Sequence, residues 1–181
     1  MPAYLAISRV LLYLIPMGWM SSLSVHAQFE PVEIFGIVTD QDSKEIIHQG
    51  TVIATDRHDA SHTITVELDS TGSYSLELPY DRSFRIEFTS PGYVARHVLV
   101  DLNNIPIGSR RAGFGMVIDA VLFKELHGID YSLFEEEPTG ICLYDKELKT
   151  LVWDMSYIVS TKKMVQSTLE EHRSTVTGPE K

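Results

Sequence analysis

From Glu33 to Phe123, apolar and polar side chains alternate in short runs, interrupted every eight to fifteen positions by turn-forming residues. A period of two sends successive side chains to opposite faces of a pleated strand. In "LDSTGSYSLELP", Tyr74, Leu76 and Leu78 alternate with polar neighbours. In "RSFRIEFTSPGYV", Phe84, Ile86 and Phe88 alternate with Ser83, Arg85 and Glu87, and Phe114, Met116, Ile118, Ala120 and Leu122 carry the rhythm over a longer run. Strands of this kind have one apolar and one wet face, as in antiparallel sheets covered on one side. Two such sheets must stack to hide their apolar faces. The expectation is therefore an all-β sandwich of seven antiparallel strands, "EIFGIVTD", "TVIATD", "HTITVEL", "SYSLELP", "SFRIEFTS", "ARHVLVDL" and "FGMVIDAVLF".

The connections support this reading. "DSTG" places Gly72 where a hairpin needs positive φ, and "SPG" joins the φ-locked Pro91 to Gly92. A phosphate-binding loop needs several glycines before a helix with a following Lys, and no helix begins here. Beyond Phe123 the texture changes. "KELHGIDYSLFEEEPTG" reads as a linker or long loop, and "GICLYDKELKTLVWDMSYI" as a hairpin turning through Asp145 to Lys149. From Ser156 onward, Ile158, Val165 and Leu169 give a short helix one modest apolar stripe, and "STVTGPEK" ends it in a frayed tail.

The first 27 residues carry one formal charge, Arg9, then the apolar run "VLLYLIPMGWM" and the small, polar "SSLSVHA". This is the order of a secretory signal, with Val25 and Ala27 at the positions that precede cleavage before Gln28. A membrane anchor needs roughly 20 consecutive apolar residues, and Pro16 and Gly18 interrupt a shorter core. The expected organisation is a signal peptide at 1–27, a sandwich at 32–124 and an extension at 125–181, with no transmembrane segment after cleavage. Removing 1–27 takes one Arg and no acid from 15 Lys+Arg and 25 Asp+Glu, leaving a net charge of −11. That balance argues against nucleic acid, whose recognition draws on clustered Lys and Arg. A single cysteine, Cys142 in "GICLYD", allows no internal disulfide. Packing must hold the fold, and Cys142 reads as a small buried hydrophobe rather than a nucleophile with a base.

Taken together, "GIVTDQDSKEIIHQGTVIATD", "LDSTGSYSLELP" and "FTSPGYVARHVLVDL" resemble the carboxypeptidase-regulatory-like domain, a transthyretin-type (prealbumin-like) β-sandwich common in envelope proteins of Bacteroidota. Gly36, Val38 and Asp40, then Val52, Gly72 and Tyr74, then Pro91, Gly92 and Tyr93 carry the resemblance, which covers about residues 32–104. The first turn departs from it with "DSKE" in place of Thr-Gly, and Thr71 stands where an Asp is usual. The resemblance implies a module that is non-catalytic in itself, found beside enzymes, transporters or secretion components, and it implies no ligand.

A metallocarboxypeptidase holds zinc with a His and a Glu three residues apart plus a distant His, and no His here is followed by Glu at that spacing. Asp56, His58, Asp59 and His62 form the densest cluster of ligand-type residues, on a segment joining two strands, and read as a solvated loop. "DQDSKE" lacks the glycine and the acidic twelfth residue of a helix-loop-helix calcium site. Glu135–Glu137 read as a solvated linker. Trp153, Tyr144 and Tyr157 suit either an aromatic platform for sugar or a cover for the sandwich edge, and the cover is favoured. No catalytic, cofactor-binding or metal residue is assigned, and no cofactor is expected. The expected function is that of an exported, non-enzymatic adaptor or structural subunit, periplasmic or extracellular, with another envelope protein as partner. The alternative is a module binding carbohydrate or another small ligand.

Overall fold

The computed structural model describes residues 29–176, with every side chain in that span except those of residues 112, 163–165, 168–169, 171–173 and 175–176. The expected signal peptide at 1–27 and the end of the tail, with the side chains of Val165 and Leu169 in the expected helical stripe, lie outside the described residues. Ten strands form two sheets: β1 (Val32–Asp40), β2 (Thr51–Asp56), β3 (Thr63–Glu67), β4 (Ser73–Leu78), β5 (Ser83–Thr89), β6 (Arg96–Asp101), β7 (Phe114–Val117), β8 (Ala120–Leu122), β9 (Ile141–Asp145) and β10 (Thr150–Trp153). A 3₁₀ turn (Ile107–Ala112) precedes β7, a one-turn helix α1 (Ser132–Glu136) precedes β9, and α2 (Met155–Val176) follows β10.

The larger sheet runs β10-β9-β6-β5-β2-β3, and the smaller is built on β1, which pairs with β4, β7 and β8. Their inner faces meet in one core. Val32, Ile34, Leu76 and Leu78 of the small sheet and Val52, Phe84, Ile86 and Val100 of the large one are all essentially unexposed. Tyr74 packs edge-on against Phe88 across the layers, with ring centroids 5.5 Å apart. The same core takes in Cys142, Tyr144 and Leu151, so the hairpin β9–β10 extends the large sheet by pairing β9 with β6 in register Val100–Cys142.

The architecture is all-β and two-layered, and differs from the sequence expectation in three respects. Among the described residues there are ten strands rather than seven. The sheets are not wholly antiparallel, because β7 and β8 both run parallel to β1 and β9 runs parallel to β6. The helix is 22 residues long rather than short.

The run expected as one strand, Phe114–Phe123, is broken in the middle. β7 pairs with Val32–Phe35 and β8 with Val38–Asp40. Between them, Ile118 N–H donates to the Phe35 carbonyl at 2.9 Å, and the Asp119 carboxylate takes the Ile37 N–H at 3.1 Å. A side-chain acceptor thus replaces a ladder carbonyl, and the chain crosses directly over Gly36. A Cβ there would overlap the Ile118 carbonyl oxygen. Burial keeps its period of two through the break, since Met116, Ile118, Ala120 and Leu122 all point inward. Alternation therefore could not reveal it.

The "DSTG" turn behaves as read. Gly72 has φ +71°, and a Cβ on it would lie 2.7 Å from the Ile47 carbonyl oxygen. Asp69 holds the turn by accepting from Thr71 N–H at 2.7 Å and Ser73 N–H at 3.0 Å. A second clamp closes the far end, where Arg110 forms a two-pronged pair with Asp81 at 2.6 Å in both arms, donates to the Ile105 carbonyl, and stacks 4.9 Å from the Tyr80 ring centroid.

Gly36→Ala is expected to destabilise the fold by about 1–3 kcal/mol through overpacking against fixed backbone. Gly115→Ala, whose Cβ would meet only a Phe35 ring atom at 3.5 Å, should be neutral or slightly stabilising. Urea denaturation of both variants measures the contrast.

Candidate functional site

The small sheet does not cover the whole inner face of the large one. Where its strand β8 ends the layer, a cavity of about 250 Å³ opens, lined among others by Phe88, Arg96, Val98, Ile118, Trp153 and Ile158. Each wall has a local cause. Phe88, Arg96 and Val98 occupy the inward phase of β5 and β6, with Phe88 directly opposite Arg96. Ile118 to Val121 come from the β7–β8 crossing. Thr139 and Gly140 extend β9 backwards along β6, with Thr139 N–H and hydroxyl both donating to the His97 carbonyl, at 2.7 and 3.0 Å. The Trp153 indole lies on Gly140, where a Cβ would come within 2.7 Å of the ring. Ile158 comes from the first turn of α2, which Asp154 caps by accepting the Ser156 and Tyr157 N–H groups, both at 3.0 Å.

The wall is mostly apolar, with two charges. Asp119 is exposed on the rim. Arg96 donates from Nη1 to the Val121 carbonyl at 2.7 Å and lies 5.5 Å from the Phe134 ring centroid. Its Nε is buried with no hydrogen-bond partner. Burial pushes its pKa down to about 10, which leaves it charged at neutral pH.

The candidates from the sequence fall elsewhere. Asp56, His58, Asp59 and His62 do not gather around an open centre. Asp56 is buried and paired with Arg82, whose second arm reaches His62 Nε2 at 3.4 Å, while His62 Nδ1 contacts Asp59 at 2.8 Å. A guanidinium thus occupies the place a cation would take. The His58 N–H first, then Arg82, hold the Asp56 carboxyl below the usual carboxylate range. In "DQDSKE", Asp40 is committed to its own turn, accepting from Asp42 and Ser43 N–H groups at 2.8 and 2.9 Å and from the Tyr93 hydroxyl at 2.8 Å. Glu137 accepts a hydrogen bond from the Tyr157 hydroxyl at 3.1 Å. Among the described residues, no group of three or more His, Cys, Asp or Glu is placed to hold a metal.

The three aromatic residues do not form one exposed platform. Tyr144 is buried edge-on to Phe114, centroids 5.7 Å apart, Trp153 flanks the cavity, and Tyr157 ties α2 to the preceding loop through the Pro138 carbonyl at 2.9 Å. Cys142 is fully buried against the Met116 thioether. Desolvation pushes its thiol up to about 12, which keeps it protonated and inert.

Two features escaped the sequence reading. The first is Phe134 of α1, wholly buried with Phe123 and Val94 beneath a segment read as linker. The second is His97, on the opposite face of β6 from the cavity, buried under α1 with Nδ1 3.2 Å from the Phe134 carbonyl oxygen and 3.2 Å from Arg85 Nη2. An inward-phase cation, Arg96 between Phe88 and Val98, was the one available signal for the cavity.

No protein-family model matches the chain, and no curated protein matches it. Among solved structures the chain is similar to 3-chlorocatechol 1,2-dioxygenase from Rhodococcus opacus 1CP, at 10% identity and a TM-score of 0.40, over 54% of this chain and 61% of that one. It is similar to the dioxygenase domain of a dioxygenase carbohydrate-binding protein fusion from Streptomyces sp. SirexAA-E, at 13% identity and 0.40, over 57% and 86%. It is similar to catechol 1,2-dioxygenase from Acinetobacter radioresistens, at 14% identity and 0.41, over 61% and 57%. The chain thus spans about three fifths of the first and third of these proteins. Likenesses at this level carry no argument about activity, and the fold stands on its own strand pairing.

His97 supplies a pH test of the α1 cover. Desolvation first, then the Arg85 charge, lowers its pKa from the ordinary 6.5. The unfolded chain therefore takes up a proton at higher pH than the folded one does, so stability rises with pH in that window and falls as pH drops below about 6.5. Thermal melts between pH 7 and 5 should show this decline, and His97→Gln should flatten it.

Proposed function

We propose that the chain is an exported, non-enzymatic β-sandwich that works by contact, as an adaptor or structural subunit among bacterial envelope proteins. The observation that carries this reading is the outer face of the small sheet. Phe35, Ile37, Val117 and Val121 are 37%, 36%, 55% and 37% exposed, and β1, β7 and β8 set them side by side, with Phe35 opposite Val117 in register. Scattered exposed apolar residues are ordinary, but a contiguous row across paired strands marks an interaction surface. Around the row stand Glu33, Glu77 and Asp119, all exposed. With the overall acidic balance, they favour a protein partner that presents a flat apolar centre ringed by Lys or Arg. Export rests on the signal-like order of residues 1–27, and the resemblance to the carboxypeptidase-regulatory-like, transthyretin-type family supports a module that is non-catalytic in itself. Among the described residues no helix is long and apolar enough to cross a membrane.

A second reading, a module for a small ligand, is favoured by the cavity beside Trp153 and Arg96. The sugar-platform version of it is weakened by the burial of Tyr144, while Trp153 stays partly exposed beside the cavity.

Phe35→Glu combined with Val117→Glu is expected to cost about 1–2 kcal/mol, because both side chains are only partly exposed and the new carboxylates face each other across the strand pair. The same pair should abolish stoichiometric recovery of a discrete partner from envelope fractions at low salt. A partner retained at full occupancy by the double variant, or no partner recovered by the parent chain, overturns the contact reading.

A further inference from the structure

The cavity beneath β8 contains a cation that the protein itself does not neutralise. Arg82, Arg85 and Arg110 each meet a carboxylate, Asp56, Glu87 and Asp81 in turn. Among the described residues Arg96 forms no ion pair. Its Nη1 is used on the Val121 carbonyl, and Nε remains buried with its hydrogen-bonding capacity unmet. Charged N–H groups left buried and unmatched are costly, and the cost is removed when a complementary anion arrives.

With Nη1 engaged, Nε and Nη2 make up the remaining edge of the guanidinium, a fork whose spacing matches the two oxygens of a carboxylate once a small rotation of the side chain uncovers the buried Nε. A phosphate or sulfate dianion fits less well, since the edge offers few donors and Asp119 adds a negative charge at the rim. The remaining wall, with Phe88, Val98, Ile118, Trp153 and Ile158, suits an apolar body. The space is small. A space of about 250 Å³ suits a compact occupant.

We propose that this cavity binds a small monocarboxylate with a flat or branched apolar body, its carboxylate on the free edge of Arg96 and its body against Trp153 and Phe88. The proposal is independent of the contact surface on the outer face of the small sheet, apart from Asp119 and Val121, which border both.

The test uses the full chain and three probes of one shape and different charge: phenylacetate, phenylacetamide and phenethylammonium. Isothermal titration should give saturable binding of phenylacetate, on the order of tenfold or more tighter than the amide, with none for the ammonium. Phenylacetate should also raise the melting temperature and change the tryptophan fluorescence, and Trp153→Phe should remove the fluorescence change. Arg96→Met should erase the preference for carboxylate over amide while keeping the unliganded melting temperature, because an apolar chain of similar length fills the site without a stranded charge. Asp119→Asn, on the exposed rim, should tighten phenylacetate severalfold, and this variant decides the matter if Arg96→Met does not fold. Equal affinity for acid and amide, no saturable binding at millimolar concentration, or weaker phenylacetate binding in Asp119→Asn overturns the proposal. Phe35→Glu with Val117→Glu leaves Arg96 and Trp153 untouched and should leave phenylacetate binding unchanged, so the two proposals fail separately.

Discussion

Strand β1 is hydrogen-bonded along both edges, and β4, β7 and β8 all join the small sheet through it. One edge carries an ordinary antiparallel partner. The other is shared by two short parallel strands, and the chain passes from one to the other over Gly36 with Asp119 standing in for a backbone acceptor. The rest of the layer follows from that crossing. It sends Ile118 inward, where its carbonyl accepts the buried Tyr74 hydroxyl at 2.6 Å. It also sets Val117 and Val121 beside Phe35 and Ile37 on the outer face, and it ends the small sheet short of β6 and β9, which leaves the cavity. The apolar row and the cavity are two results of one backbone event.

Much of this was legible in the residues themselves. Tyr74, Leu76 and Leu78, and Phe84, Ile86 and Phe88, point inward as their alternation requires, and Gly72 takes the positive φ that its turn demands. Alternation reports which face a side chain takes and is silent on the direction of the neighbouring strand, so parallel pairing of β7, β8 and β9 could not be read from it. Phe134 left no periodic trace either, being one buried ring in an acidic run. Sequence proximity misled in the opposite sense at Asp56, His58, Asp59 and His62, where the group that completes the cluster is Arg82, contributed by a different connection. Spacing along the chain carries no information about such a partner. For the cavity, a cation in the inward phase of β6 was a visible irregularity, whereas its empty surroundings depend on where β8 stops.

The charge distribution follows a consistent division. Most of the acidic groups that take structural hydrogen bonds serve turns: Asp40, Asp56, Asp59, Asp69 and Asp130 each accept backbone N–H groups a few residues on, and hydrogen bonding holds each of their carboxyls below the usual range. A carboxylate with a depressed folded-state pKa contributes stability above its unfolded value and loses it as pH falls further. The connections of this acidic chain are therefore fastened by ionised aspartates, while two arginines clamp separate segments, Arg82 to Asp56 and Arg110 to Asp81. Arg96 stands outside that division.

Trp153 is the last residue of β10, and Asp154, which follows it, caps α2. Because the indole rests on Gly140 with no room for even a methyl group between them, it cannot retreat toward β9 when something enters the space beside it. The ring is thus a fixed wall of the cavity, and the residue that follows it, Asp154, caps the first turn of α2.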